Sequence, residues 1–342
     1  MKACFPGLLS VVVLVVSSPF SKAEDPTGQV RCFSGHEGNV RCVVVSPDGK
    51  HMLSGAWDGT MRVWDMASGK EIHCIRGYQR GIIGSVAFSP DGRQTVSVDA
   101  DTRVWLHDVA TGKPVRHFNA YTSHTSDVAF LPDGRHIVTS GGDYRFLGSN
   151  VDCKVKLWHL PTAKVSRLFK GHKSFVQCMA ISSDGKYLLT GAGHYDGAKW
   201  PVDCTARLWE VATGKEIRRF EGHTYWVRAV AFSPDGKLAL SGGGDATVRL
   251  WEVATGKEIR QFKGQSESVW SVSFSPDGRL IAAGVGSTGK DCTVRVWEVE
   301  TARQIHCFTR HTGSVMTVAF TPDGNQVLSG SDDGTIRLWR LK

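Results

Sequence analysis

The chain has 342 residues, 41% of them hydrophobic and 22% charged, values close to globular averages that exclude a chain of strongly biased composition. The formal net charge of +8 suits a polyanion only if the basic side chains cluster, and in this sequence they do not, which sets nucleic acid well below protein as a partner. With 38 Gly and 11 Trp, many tight turns and one recurring aromatic are expected, so internal repeats are sought first.

The first 23 residues differ in kind from the rest. Lys2 precedes a predominantly apolar run over 8–16, and a polar stretch follows, ending Ser21-Lys22-Ala23. The run is too short to cross a bilayer, and small residues at 21 and 23 suit cleavage before Glu24. A secretory signal peptide over 1–23 and a short leader over 24–28 are therefore expected, with an exported product, periplasmic or secreted. Cys4 precedes the apolar run and cannot carry a lipid, so no membrane anchor is expected after signal removal. Loss of Lys2 and Lys22 lowers the net charge to +6.

From residue 29 onward the chain repeats. Cutting it at Trp64, Trp105, Trp158, Trp209, Trp251, Trp297 and Trp339 gives seven units. The fifth shows the pattern most fully: Gly222-His223, the run Val227 to Phe232, the turn Ser233-Pro234-Asp235-Gly236, then Leu238 to Ser241, Asp245, and Thr247 to Trp251. A Thr-Gly-Lys turn and Glu258 to Phe262 complete it. Short β-branched and apolar runs divided by such turns predict four antiparallel strands per unit and no helix. One four-stranded sheet cannot bury both faces, whereas seven packed radially can, so the expected fold is an all-β, seven-bladed β-propeller over 29–342. The seventh unit ends just after Trp339 without a fourth strand of its own. Residues 29–33 resemble Glu258 to Phe262 and are expected to supply it, closing the ring against Arg337 to Trp339.

Seven such units resemble the WD-repeat family, to which the G-protein β subunit belongs, over residues 29–341. Of the seven repeat tryptophans only Trp64, followed by Asp65, matches the naming dipeptide literally. The resemblance implies a buried tetrad of His, Ser or Thr, Asp and Trp in each blade. It is complete as His36, Ser54, Asp58, Trp64; as His172, Thr190, Asp203, Trp209; as His223, Ser241, Asp245, Trp251; and as His311, Ser329, Asp333, Trp339. Ser, His and Asp together invite a hydrolase reading, but their recurrence in four blades beside an indole favours scaffolding. In the second, third and sixth units Tyr78, Tyr121 and Gln265 replace His, and Ala283 replaces Ser, so those blades are expected to be held less tightly.

Length variation falls in one place, the loop between second and third strands, which is long in units three, four and six. In an antiparallel blade this loop shares a face with the His-bearing loop, and the resemblance identifies that face as the top. Tyr144, Phe146, Tyr195 and Trp200 would decorate it. Residues flanking the first Val of each inner strand point the same way because side chains alternate, and the resemblance implies that they ring the central channel there: Asn39 and Arg41, Phe175 and Gln177, Trp226 and Arg228, then Trp270 and Met316, joined by Trp57. Aromatic and Arg side chains on a rigid scaffold are what a protein-binding surface needs.

Eight cysteines follow residue 23. Most fall at equivalent places in different blades, where rotation keeps them apart, so free thiols are expected and neither disulfides nor a metal site. No nucleophile, metal or phosphate-loop motif rises above the repeats. The sequence thus predicts a non-catalytic protein-interaction scaffold, monomeric by itself, without cofactor or metal. The alternative is an enzyme or ligand-binding propeller with a pocket at the channel mouth.

Overall fold

The computed structural model describes residues 28–76, 81–100, 102–121, 124–142, 154–193, 202–287 and 290–342. Within them, strands form seven four-stranded antiparallel sheets, and the order of elements contains no helix. The inner strands of blades one to seven are Val40–Val45, Ile83–Phe88, His124–Phe130, Val176–Ile181, Val227–Phe232, Val269–Phe274 and Val315–Phe320. The seventh sheet takes its outermost strand from the beginning of the chain: Gln29–Phe33 pairs with Ile336–Arg340, with Cys32 opposite Arg337 and Phe33 opposite Ile336. The ring is closed as the sequence indicated.

Local chemistry fixes each hairpin. At the turn after the first strand of blade one, Ser46 Oγ donates to Asp48 Oδ1 at 2.5 Å and the Lys50 amide donates to the same oxygen at 3.0 Å. Gly49 completes the turn at φ +72°, a left-handed conformation that a side chain would strain. The hydrophobic core lies between blades. Phe33, Val40, Met52 and Trp64 pack against Leu328, Ile336 and Leu338 of blade seven, and the indoles Trp158, Trp209, Trp251, Trp297 and Trp339 fill the corresponding seams. Blades approach closely enough that a Cβ on Gly55 would lie 2.5 Å from Ile83 Cγ2 of the next blade.

Three features go beyond the sequence reading. Every inner strand carries an irregularity of register near its start, such as that between Val40 and Cys42. The irregularity turns the residue at the Cys42 position toward the neighbouring blade. Thr317 Oγ1 thereby accepts from the Val43 amide at 3.3 Å, and Ser271 Oγ from the Val318 amide at 3.0 Å. The second feature is a clasp at the outer rim, where a fourth-strand side chain donates to a backbone carbonyl of the next blade. Arg31, Arg116, Arg167, Arg218 and Arg260 do so to Met66, Leu160, Val211, Thr255 and Val299, while His73 and His306 make the equivalent bonds to Ala110 and Leu341.

The third feature corrects the second repeat. Met52 pairs with Trp64 in blade one, and Thr95 pairs with His107 in blade two. The tight turns agree, since the Asp65 amide bonds the Lys70 carbonyl and the Asp108 amide bonds Lys113. His107, not Trp105, therefore holds the repeat-tryptophan position, and Asp99, six residues before Trp105, ends the strand Gln94–Asp99. Trp105 sits two residues earlier, stacked on His117 at 4.5 Å, with its indole N–H donating to Asp99 Oδ2 at 2.8 Å. His107 is buried, and burial pushes its imidazole down to about 4. A cleft of about 300 Å³ opens at this seam, lined by His73, Ile75, Trp105, His107 and Pro114 among others.

Candidate functional site

The polar side chains buried beneath the top loops set the geometry of that face. In blade five the Trp251 indole N–H donates to Ser241 Oγ at 2.8 Å, Ser241 Oγ lies 2.7 Å from His223 Nε2, and His223 Nδ1 lies 2.9 Å from Asp245 Oδ2. Every group is satisfied if Ser241 donates to Nε2 and the Nδ1 proton goes to the carboxylate. Asp245 also accepts from the Thr224 amide at 2.9 Å and the Thr247 hydroxyl at 2.7 Å. The same chain runs through His36, Ser54, Asp58 and Trp64 in blade one, through His172, Thr190, Asp203 and Trp209 in blade four, and through His311, Ser329, Asp333 and Trp339 in blade seven. The His–hydroxyl distance is 2.7 Å in each.

Burial drives His36 and His172 below their ordinary range, partly offset by Asp58 and Asp203. Burial alone would raise Asp245, but its bonds from His223, Thr247 and Thr224 hold it at about 2; Asp203 and Asp333 are depressed in the same way. Each hydroxyl has the partners of an acyl-transfer nucleophile, but Ser54, Thr190, Ser241 and Ser329 are 0% exposed. An indole donor caps each one, so no carbonyl carbon can approach.

The substituted blades differ. Tyr121 reaches the Thr139 and Lys154 carbonyls with its hydroxyl, both at 2.8 Å, while Trp158 still donates to Thr139. In blade six Trp297 turns to the Lys263 carbonyl at 3.3 Å and the Gln265 amide bonds Phe262. Tyr78 lies outside the described residues.

At the mouth, the structure brings side chains from blades one, five and six into one stack. Arg41 lies 5.3 Å from the Trp57 ring and 5.7 Å from the Trp270 ring. Arg228 lies 3.8 Å from Trp270 and 4.4 Å from Trp226. The sequence Trp57, Arg41, Trp270, Arg228, Trp226 is a ladder of alternating indoles and guanidinium groups. Trp57 is 48% exposed at one end. Met316 lies beneath, its sulfur 3.8 Å from Arg41. Burial and the neighbouring Arg41 charge pull Arg228 down to about 10. Of the other expected positions, Phe175 is buried, Gln177 donates to its own blade at the Gly193 carbonyl, and the Asn39 carbonyl accepts from the Trp57 amide. Tyr144, Phe146, Tyr195 and Trp200 lie outside the described residues.

Sequence reasoning missed Asp127. It stands at the Cys42 position of blade three, accepting from Ser85 Oγ at 2.6 Å, from the Met179 amide at 2.9 Å and from its neighbour's amide at Val128. Part of its surface stays accessible, but protein surrounds it, and this burial raises its carboxyl to about 6 against the bonds that lower it. A raised carboxyl holds its proton more tightly folded than unfolded, so its stabilisation is complete below about 4 and lost as pH rises through about 6. Relative to Asp127→Asn, the wild-type protein should therefore melt progressively lower between those limits. Calorimetry showing parallel curves from pH 4 to 7 would contradict this.

Among the described residues, Cys32, Cys42, Cys74, Cys178, Cys204 and Cys307 are free thiols. The arginines that precede the repeat tryptophans face inward to partners, with Arg62, Arg207 and Arg249 paired to Glu71, Glu216 and Glu258.

The family described as WD domain, G-beta repeat matches seven times, over residues 27–65, 69–108, 112–159, 163–210, 214–252, 256–298 and 302–340. Its second match ends at Asp108, which places His107 where the other repeats have Trp. The chain is 35% identical over 229 residues to the small ribosomal subunit protein RACK1 of Caenorhabditis elegans, covering 66% of this chain and 65% of the relative. It is 35% identical over 203 residues to that of Drosophila melanogaster, covering 59% and 58%. It is 24% identical over 225 residues to the nuclear distribution protein nudF of Emericella nidulans, covering 62% and 39%. The chain thus spans less than two thirds of the length of these relatives. Their names place them on the ribosome and in nuclear distribution, inside the cell. That overturns the expectation of an exported, periplasmic or secreted product. The expectation rested on residues 1–23, which lie outside the described residues, and a short apolar run between polar flanks is a pattern of composition that carries no address by itself. Seven matched repeats, seven blades and four complete tetrads lead to one assignment: the chain belongs to the WD-repeat family.

Proposed function

We propose that the protein is a non-catalytic scaffold that holds a protein partner over the top mouth of its central channel. The observation that carries this reading is the ladder from Trp57 to Trp226. Large, rigid side chains from three blades meet there, with little rotamer entropy left to lose on binding. The sealed hydroxyls of the tetrads support the non-catalytic part, and the likeness to RACK1, by name a protein of the small ribosomal subunit, supports the scaffold part.

The test replaces Trp226 with Ala and Arg228 with Ser together and measures capture of partners from the source cell. Loss of a central aromatic and its stacked Arg typically costs about 2 kcal/mol or more, near thirtyfold in affinity. Melting should stay near wild type. A matched control belongs on the opposite face at the exposed Lys215 and Lys257; Glu216 does not serve, because it accepts from Arg207 at 2.9 Å. Capture that survives the mouth variant and is lost in the Lys variant would refute the assignment of the face.

A further inference from the structure

We propose that the mouth receives a carboxylate, the Asp or Glu side chain of an acidic segment in a partner protein, at the edge of Arg228 beside Arg41. The proposal rests on the reading of the mouth as a protein-binding face and names the chemistry of what binds there.

Three observations lead to it. Both flat faces of the Arg228 guanidinium are covered, by Trp226 at 4.4 Å and Trp270 at 3.8 Å. What remains for polar contact is its edge, and a guanidinium edge matches a carboxylate with two parallel N–H bonds. Next, the donors there are unspent: Arg228 Nε and Trp226 Nε1 are both buried and have no hydrogen-bond partner among the described residues. Buried donors without acceptors are costly, and since neither of these two atoms is accessible, a carboxylate would approach along the outer Nη edge of Arg228, easing the unpaired charge there. Finally, the two most buried arginines among the described residues, Arg62 and Arg207, are paired. Arg62 and Arg207 each have two carboxylates, with Glu71 at 2.6 Å and Glu216 at 2.9 Å as the fourth-strand partners. No such pair satisfies Arg228 among the described residues, and its nearest strong field is the like charge of Arg41. Asp332 of blade seven faces Arg41 and offsets part of that charge but does not act on Arg228.

A protein segment fits better than other anions. Two guanidinium groups are too few for the track of basic groups that a nucleic acid requires. The half-exposed Trp57 and the neighbouring indoles offer apolar area for the residues that flank an acid, which a small free anion cannot use.

The experiment uses the full chain and fluorescence polarisation with a short labelled peptide carrying a central run of aspartates. Its counterpart has asparagines at those places, inorganic phosphate serves as competitor, and phosphatidylserine vesicles are tested separately. The expected result is binding of the aspartate peptide that weakens as salt rises. The asparagine peptide should bind at least about tenfold more weakly, and R228K should lose about tenfold because it keeps the charge and loses the planar edge. R228M gives a second reading should R228K lower the melting temperature. Equal binding of the two peptides, no binding of the aspartate peptide, an unaffected R228K, phosphate competing as well as peptide, or vesicles bound in preference to peptide would each overturn the proposal. If the Trp226 and Arg228 double variant loses its cellular partners while the two peptides bind alike, the carboxylate inference fails and the scaffold reading stands. If partner capture survives that variant, the scaffold reading fails first.

Discussion

Deletion of residues 29–33 is expected to abolish cooperative folding of the whole ring rather than to fray one edge. The segment supplies the fourth strand of blade seven, pairing from Gln29 opposite Trp339 to Phe33 opposite Ile336. Without it, Ile336–Arg340 becomes an open sheet edge, and Arg337 loses the acceptor it finds in Gln29 at 2.5 Å. Phe33, 2% exposed, leaves the seam it shares with Trp64, whose ring centroid is 5.9 Å away. Removing a buried Phe alone costs about 3–5 kcal/mol, and each lost strand bond adds about 1 kcal/mol. Together these approach the whole stability of a typical domain, about 5–15 kcal/mol. The measurement is the thermal transition followed by circular dichroism and by intrinsic fluorescence. A soluble deletion protein that melts near wild type would show that the seventh blade closes without this strand.

Asp245→Ala is expected to lower the melting temperature by roughly 4–10 °C, the consequence of about 2–4 kcal/mol lost at a buried network. The carboxylate accepts from His223, from the Thr224 and Thr247 amides and from the Thr247 hydroxyl. Truncation strands all of these donors. The pH dependence distinguishes this from simple loss of packing. The Asp245 carboxyl is held at about 2 in the folded protein, below the ordinary value of 3.8, so its contribution is present above about 4 and lost as pH falls toward 2. The gap between wild type and variant should therefore be full at pH 6 and shrink on acidification. A constant gap across that range would assign the destabilisation to something other than the ionised network, and unchanged stability would remove the structural role of the tetrad.

The fold was legible because the punctuation repeats. An Asp-Gly turn after the first strand of each of the seven repeats and a periodic Trp fix both strand length and sheet number, and the likeness of Gln29–Phe33 to Glu258–Phe262 marks the closure. The register of the second repeat was misread because one residue type was followed without its turn. Trp251 stands five residues before Gly256, and His107 stands five before Gly112, whereas Trp105 stands seven before it. Counting back from the turn would have found the position. The Arg–Trp ladder was legible as a set of residues but not as a stack, since blades one, five and six meet only when the ring closes. The clasp of fourth-strand arginines and the caging of Asp127 depend on contacts between blades and on an extra residue in each inner strand, neither of which leaves a periodic trace.

The misplaced tryptophan has a mechanical consequence. Seams around a closed circle bear stress in series, so the circle parts where cohesion is least. Among the described residues, the joint between blades one and two alone lacks both a buried indole from the following blade and an arginine clasp: His107 stands in place of the first and His73 in place of the second. The cleft there marks missing volume. The molecule thus has a built-in line of fracture that lies away from the covalent gap between its ends. Heat, pulling force or a competing strand would open it there first, and a cut and rejoined chain with new ends at that joint would give up less cohesion than one opened at any seam filled by tryptophan.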